Sequence, residues 1–161
     1  MGNTTSKKSK AGISPTLIAL MLEKFSDEDV LRAMIAGEAI GEPYLGKVAV
    51  AYVAVNRAKL ASMRIAPWPK TIKEVILQPY QFSCFWSDWP KRKADCLLCL
   101  IDKDHNVSVS KAARDVLTGA ISDPTGGADH YHAIDIPKPK WAHSMKKVAE
   151  IGRHVFYRSI P

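Results

Sequence analysis

The stretch "MIAGEAIGEP", residues 34–43, sets two glutamates four apart among apolar and small residues. Glu38 and Glu42 would share one face of a helix if the helix continued. Gly41 and Pro43 stop it, because the residue before a proline is pushed out of the α region. A carboxyl at the end of an apolar helix, among Met34, Ile35, Ala36 and Ala39, is expected to be poorly solvated. Poor solvation favours the protonated form that a general acid near neutral pH requires. The plain alternative is a surface glutamate paired with a lysine or arginine. Glu42 has two readings. It could be the second carboxylate of a glycosidase pair, which wants roughly 5–9.5 Å between carboxyls, or it could close the turn by accepting backbone N–H bonds. The turn role is favoured.

Cys96-x-x-Cys99, with Cys84 and His105 nearby, has the residue types of a zinc site but lacks the second tightly spaced pair. "CLLCL" reads better as packed apolar surface, since free cysteine is commonly buried. A cysteine nucleophile served by His130 or His132 is a weaker reading still. No metal is therefore expected. The aromatic residues of 80–89 and 131–141 could be core. Their density in loops beside Asn56, Gln81 and His132 also suits a groove that stacks sugar rings and hydrogen-bonds their hydroxyls.

These residues need elements to hold them. Residues 1–12 read as a disordered basic leader, and 13–161 as a single catalytic domain. "SPTLIALMLEKF" predicts a short helix with Ser14 as cap and Pro15 in its first turn. "SDEDVLRAMIAGEA" predicts a second, capped by Ser26, with Val30, Leu31, Met34 and Ile35 on its buried face. In "YLGKVAVAYVAVNRAKLA" the alternation of Val48 to Ala51 suggests a strand. Its uninterrupted length and its alanines favour a buried helix ending in Arg57 and Lys59. "TIKEVILQ" opens with a Thr71/Glu74 capping box. Residues 79–107 read as irregular. "SVSKAARDVLTGA" is expected to be a helix capped by Ser108 or Ser110 and ended near Gly119. The last part gives a helical turn and a short strand at 155–157. The sum is a mostly helical domain with long loops.

At 161 residues, 47% hydrophobic and 24% charged, the chain is long enough for one well-filled core. A net charge of +7 suits a polyanionic partner, whether nucleic acid, an anionic membrane surface or a wall polymer. No helix-turn-helix, zinc-finger or ribonucleoprotein signature supports nucleic acid. Three cysteines fit a reduced compartment better than a disulfide scaffold. No run reaches the roughly 18 apolar residues of a membrane span. The lysine-rich start followed by "AGISPTLIALML" imitates a signal peptide, but Pro15, Glu23 and Lys24 and the missing cleavage site argue for a leader and a helix.

Read together, five ordered blocks resemble the SleB-type cell-wall hydrolase family of spore-cortex-lytic enzymes. They are "AGEAIGEPYLGKVAVAYVAVNRA", "WPKTIKEVILQPYQFSCF", "AARDVLTGAISDPTGGADHYHA", "PKW" and "IGRHVFY". The resemblance implies a mostly α (α+β) domain with a small β element, similar to goose-type lysozymes and lytic transglycosylases. It implies cleavage of the sugar chain of peptidoglycan, without a cofactor, between N-acetylmuramic acid and N-acetylglucosamine. The family's catalytic acid falls on Glu38, and its groove on Gln81, Phe82, Ser83, Tyr131 and His132. With no well-placed second carboxylate evident, lytic transglycosylation is the simplest chemistry. Hydrolysis helped by Glu42 or Asp135 is the competing one. The expected partners are glycan strands, with no nucleic acid and no stable membrane insertion. A chain without a clear export signal resembles a bacteriophage lysis enzyme: a monomer held in the cytoplasm until a holin-type protein permeabilises the membrane.

Overall fold

The computed structural model describes residues 13–86 and 90–160; the expected leader, 1–12, lies outside them. The chain starts with α1 (Pro15–Lys24), where the Ser14 hydroxyl accepts the Leu17 N–H at 3.1 Å. A tight reciprocal cap opens α2 (Asp27–Ala39): Ser26 Oγ accepts the Asp29 N–H, and Asp29 Oδ2 accepts the Ser26 N–H. Two such bonds satisfy donors that a helix start leaves orphaned, and the three acids of its first turn suit the positive end.

The expected buried face of α2 was too narrow, because the helix is buried from Val30 to Gly37 on every side. Even Arg32 lies inside, its guanidinium donating to the carbonyls of Cys99 and Leu100 and pairing with Asp29 at 2.8 Å. Around α2 pack α3 (Tyr44–Ser62), α4 (Ile72–Leu77), α5 (Ser83–Trp86), α6 (Pro90–Ile101) and α7 (Val107–Thr118). One apolar core runs from Met21 to Phe156. The β-branched residues of "VAVAYVAV" are helical because the helix is enclosed by neighbours, and tertiary burial outweighs their intrinsic preference.

Three strands complete the fold: β1 (His130–Ala133), β2 (Lys146–Ile151) and β3 (His154–Arg158), all antiparallel in the order β1-β3-β2. A 3-10 turn, Lys140–Ser144, precedes β2. The architecture is thus mostly helical with a small sheet. No helix among the described residues is long and apolar enough to cross a membrane.

Several local expectations are corrected. The stretch read as irregular contains α5 and α6. Proline at the first position of α6 and the spacing of Cys96, Cys99 and Leu100 on one face are the signals for that helix. Asn106 caps α7, accepting the Val109 N–H at 3.0 Å, in place of either serine. Gly119 ends that helix in the left-handed region, φ 71°. Glu74 reaches the Thr71 hydroxyl and not its backbone, so only half of that capping box forms. The strands β1 and β2 were not anticipated at these positions.

Gly37 lets α2 approach α5 and α6. A Cβ there would lie 2.3 Å from both Cys84 Cβ and Cys96 Sγ. Gly37→Ala therefore forces helices apart. The expected net destabilisation is about 1–3 kcal/mol despite alanine's better helix propensity. Urea unfolding of the two proteins measures it, and an alanine variant as stable as the parent would contradict this packing.

Candidate active site

Glu38 is the next-to-last residue of α2, half-buried, at the edge of a groove of about 370 Å³. Three donors converge on it. The Cys84 N–H meets Oε1 at 2.7 Å, the Ser83 hydroxyl meets the same oxygen at 3.1 Å, and the Tyr131 hydroxyl meets Oε2 at 2.8 Å. The side chain is therefore less starved of polar partners than its apolar sequence neighbours suggest. Its two oxygens are not equivalent. Oε1 is held, besides the Ser83 hydroxyl, by the closer Cys84 N–H, which can only donate. Oε2 meets a hydroxyl alone, which can donate or accept, so Oε2 is the oxygen better placed to carry and exchange a proton.

Tyr131 stands on β1, opposite Phe156 of β3, and its ring meets His154 edge-on at 5.1 Å. Burial, and then the adjacent Glu38, push the Tyr131 hydroxyl well above its ordinary value. It stays a neutral hydrogen-bonding group.

The expected groove residues separate into two sets. Gln81, Ser83, Tyr131 and His132 line the groove with Glu38, whereas Phe82 is 1% exposed and lies beneath it. Phe82 offers its face to Arg57, 5.2 Å from the ring centroid, so its contact with the groove passes through that residue. The His132 Nδ1 sits 2.7 Å from its neighbour's carbonyl, and Nε2 sits 3.1 Å from the Tyr157 hydroxyl. A neutral ring here carries its proton on Nδ1 and accepts from Tyr157. Asn56, thought to face sugars, instead bonds Asp123 and the Ala128 carbonyl and pins the turn before β1.

Among the lining residues not singled out from sequence, Arg57, Arg92, Trp141 and His154 bring charged or aromatic groups. Arg57 looked like a helix-end charge. It is 5% exposed, donates to the Asp129 carbonyl at 2.7 Å and to Gln81 Oε1 at 3.2 Å, and stacks on Trp68 at 4.4 Å. Burial lowers it to about 10, still charged at neutral pH. Its signal was a charge in the last turns of a helix otherwise enclosed. Arg92 donates to Ser83 from α6, the helix the sequence reading missed. Trp141 belongs to the aromatic cluster that was expected as a whole, without any assignment of its own.

Glu42, 9% exposed, does accept a backbone N–H, but that of Arg153, 111 residues away at the β2–β3 turn. Gly152 makes the approach possible: a Cβ there would stand 1.9 Å from Glu42 Oε2, and its φ is +58°. Lys47 donates to the Glu42 carbonyl from α3. Asp135 is exposed and paired with Arg153 at 2.8 Å. Among the described residues lining the groove, Glu38 is the only carboxylate.

The cysteines sit inside the apolar core, Cys84 and Cys96 against Gly37. Burial pushes the Cys84 thiol well up, which opposes a thiolate nucleophile. His105 is exposed on the loop before α7, away from that packing. His130 sits 3.0 Å from the Asp129 carboxylate, between the rings of Trp68 and Trp141.

His154 gives a testable pH dependence. Its Nδ1 is buried with no hydrogen-bond partner among the described residues, 3.8 Å from Glu42 Oε1. Burial pushes the imidazole below 6.5, against the pull of Glu42 and Glu38. The unfolded chain then binds this proton more readily. The associated stability is full above 6.5 and is lost as pH falls through the depressed value. Thermal melts stepped from pH 7.5 to 5 should show a falling midpoint, and a shallower fall in His154→Phe. Equal slopes would assign the dependence elsewhere.

The fold and groove have relatives. A family model described as cell wall hydrolase matches residues 41–157, beginning just beyond Glu38. The spore cortex-lytic enzyme of Bacillus cereus is 34% identical over 131 residues, which cover 81% of this chain and 44% of that protein. The spore cortex-lytic enzyme of Halalkalibacterium halodurans is 31% identical over 134 residues, covering 82% and 35%. The chain thus spans less than half the length of these curated relatives. Among solved structures, the catalytic domain of the Bacillus cereus SleB protein aligns with a TM-score of 0.64 and 32% identity, covering 84% of this chain and 94% of that one. The catalytic domain of the germination-specific lytic transglycosylase SleB from Bacillus anthracis gives the same score and identity, with 98% of its chain covered. By the extent of the family match and its agreement with two solved domains, this chain belongs to the cell wall hydrolase family.

Proposed function

We propose that this protein cleaves peptidoglycan glycan strands at the β-1,4 bond between N-acetylmuramic acid and N-acetylglucosamine, as a lytic transglycosylase. The observation that carries the reading is that Glu38 is the single carboxylate lining the groove among the described residues, with one oxygen tied to a backbone N–H and the other bonded to a hydroxyl that can either donate or accept. Protonated at Oε2, Glu38 gives its proton to the glycosidic oxygen as the C1–O bond breaks, and the N-acetylglucosamine leaves with a 4-hydroxyl. The carboxylate then takes the proton of the muramic 6-hydroxyl while O6 bonds to C1. The product end is a 1,6-anhydro ring, no water is consumed, and Glu38 is protonated again. Tyr131 supports both states of Oε2 by donating to the carboxylate and accepting from the acid.

Hydrolysis would need a second group to activate water. Glu42 is committed to the Arg153 N–H and Asp135 to the Arg153 guanidinium, which favours the transglycosylase. The solved relative whose name includes lytic transglycosylase supports the same choice. The setting we propose is cell lysis: a monomeric, phage-type enzyme made in the cytoplasm, admitted by a holin-type protein, and drawn to an anionic wall by its net charge of +7.

A digest of purified peptidoglycan tests the chemistry. Wild-type protein should release fragments that borohydride does not reduce and that are one water lighter than hydrolytic products. Glu38→Gln should lower their rate by about 100-fold or more while keeping the fold. Reducible fragments carrying water would mean hydrolysis, and near-normal turnover by Glu38→Gln would remove Glu38 from the chemistry.

A further inference from the structure

Tyr80 is 71% exposed and holds a left-handed backbone, φ 62°. Side chains other than glycine rarely adopt that conformation, and a large aromatic residue gains nothing from it in packing. Arg64 is the only other described non-glycine residue with positive φ. The Tyr80 ring does have one neighbour. It lies over Trp86, with centroids 5.1 Å apart and planes inclined at 44°. Trp86 is half-buried and packed against the core, so it forms a base under the ring of an exposed loop residue.

The position of this pair matters more than its exposure. Tyr80 directly precedes Gln81, which lines the groove and accepts from Arg57. Trp86 follows Ser83 by three residues in α5, which puts the two on one face of that helix. Ser83 lines the groove and bonds Glu38. Neither ring lines the groove itself; their chain neighbours Gln81 and Ser83 do, which sets the pair beside that edge. A polymer occupying the groove must leave at its ends, and a pyranose ring presents an apolar C–H face that an aromatic ring accepts without regard to hydroxyl pattern.

We propose that Tyr80 and Trp86 form an outer sugar-binding subsite, which takes a pyranose ring of the glycan strand beyond those held in the groove. This rests on the glycan reading above and adds a site to it. The strained loop keeps Tyr80 outside the core, where a tyrosine facing inward would be lost to the strand.

The test uses Glu38→Gln protein, so that ligands survive, and two ligands: a muropeptide-free disaccharide of N-acetylglucosamine and N-acetylmuramic acid, and long glycan strands freed of peptide. Calorimetry reads both affinities. Adding Tyr80→Ala should weaken the long strand by about 3- to 10-fold and leave the disaccharide unchanged, and Tyr80→Phe should restore the strand. Tyr80→Gly should show the same selective loss with an equal or higher melting temperature, because glycine relieves the left-handed strain. That pairing is not the signature of a merely structural residue. Full strand affinity in Tyr80→Ala overturns the subsite while leaving the glycan reading intact. Equal losses on both ligands overturn it too, since Tyr80 would then act within the groove. If the parent binds neither ligand, the subsite and the glycan reading fall together.

Discussion

Two carboxylates stand about the end of α2: Glu38 in its last turn, where the helix dipole disfavours it by about 0.3–1 kcal/mol, and Glu42 beyond that end, just before α3. Their burial adds to the cost. The remainder of the chain supplies what they lack. Donors reach Glu38 from α5 and from β1, and one reaches Glu42 from the β2–β3 turn. Segments 46, 93 and 111 residues away are thus drawn to one helix end by charge-assisted bonds. The groove is the gap these bonds leave between the helical layer and the sheet.

The same residue type takes two different tasks four positions apart. Glu38 lines the groove, and one of its oxygens meets a hydroxyl that can reverse its bond. Glu42 is turned inward, and the Arg153 N–H that it meets cannot reverse. The break at Gly41 separates them, since an unbroken helix would have aimed both at the same neighbours. Gly152 completes the arrangement by leaving room at the far side of the contact.

Much of this was legible in the residues. Ser14 and Ser26 announced their helices, and the isolated carboxyl in an apolar, small-residue run pointed to Glu38. Ordered blocks of motif carried the architecture. Other features were hidden for physical reasons. A reader of α6 sees two cysteines with metal-like spacing and passes over the helix they help to bury. Arg57 resembles a solvated helix-end charge until β1 and its turn are folded over it. The β2 strand has little alternation of burial to reveal it, being mostly an exposed edge. Contacts such as Glu42 with Arg153 depend on sequence separations that no local pattern encodes.

Arg57 has one more consequence. Its guanidinium is enclosed by rings and carbonyls, yet it keeps its charge far above neutral pH. Mobile ions shield surface lysines readily and reach an enclosed charge poorly. The molecule therefore has two kinds of positive charge, one that fades in brine and one that does not. Rising ionic strength would dull its long-range pull on an anionic surface while the polarity of the groove floor stays fixed, so finding the surface and seating a chain upon it become separable events.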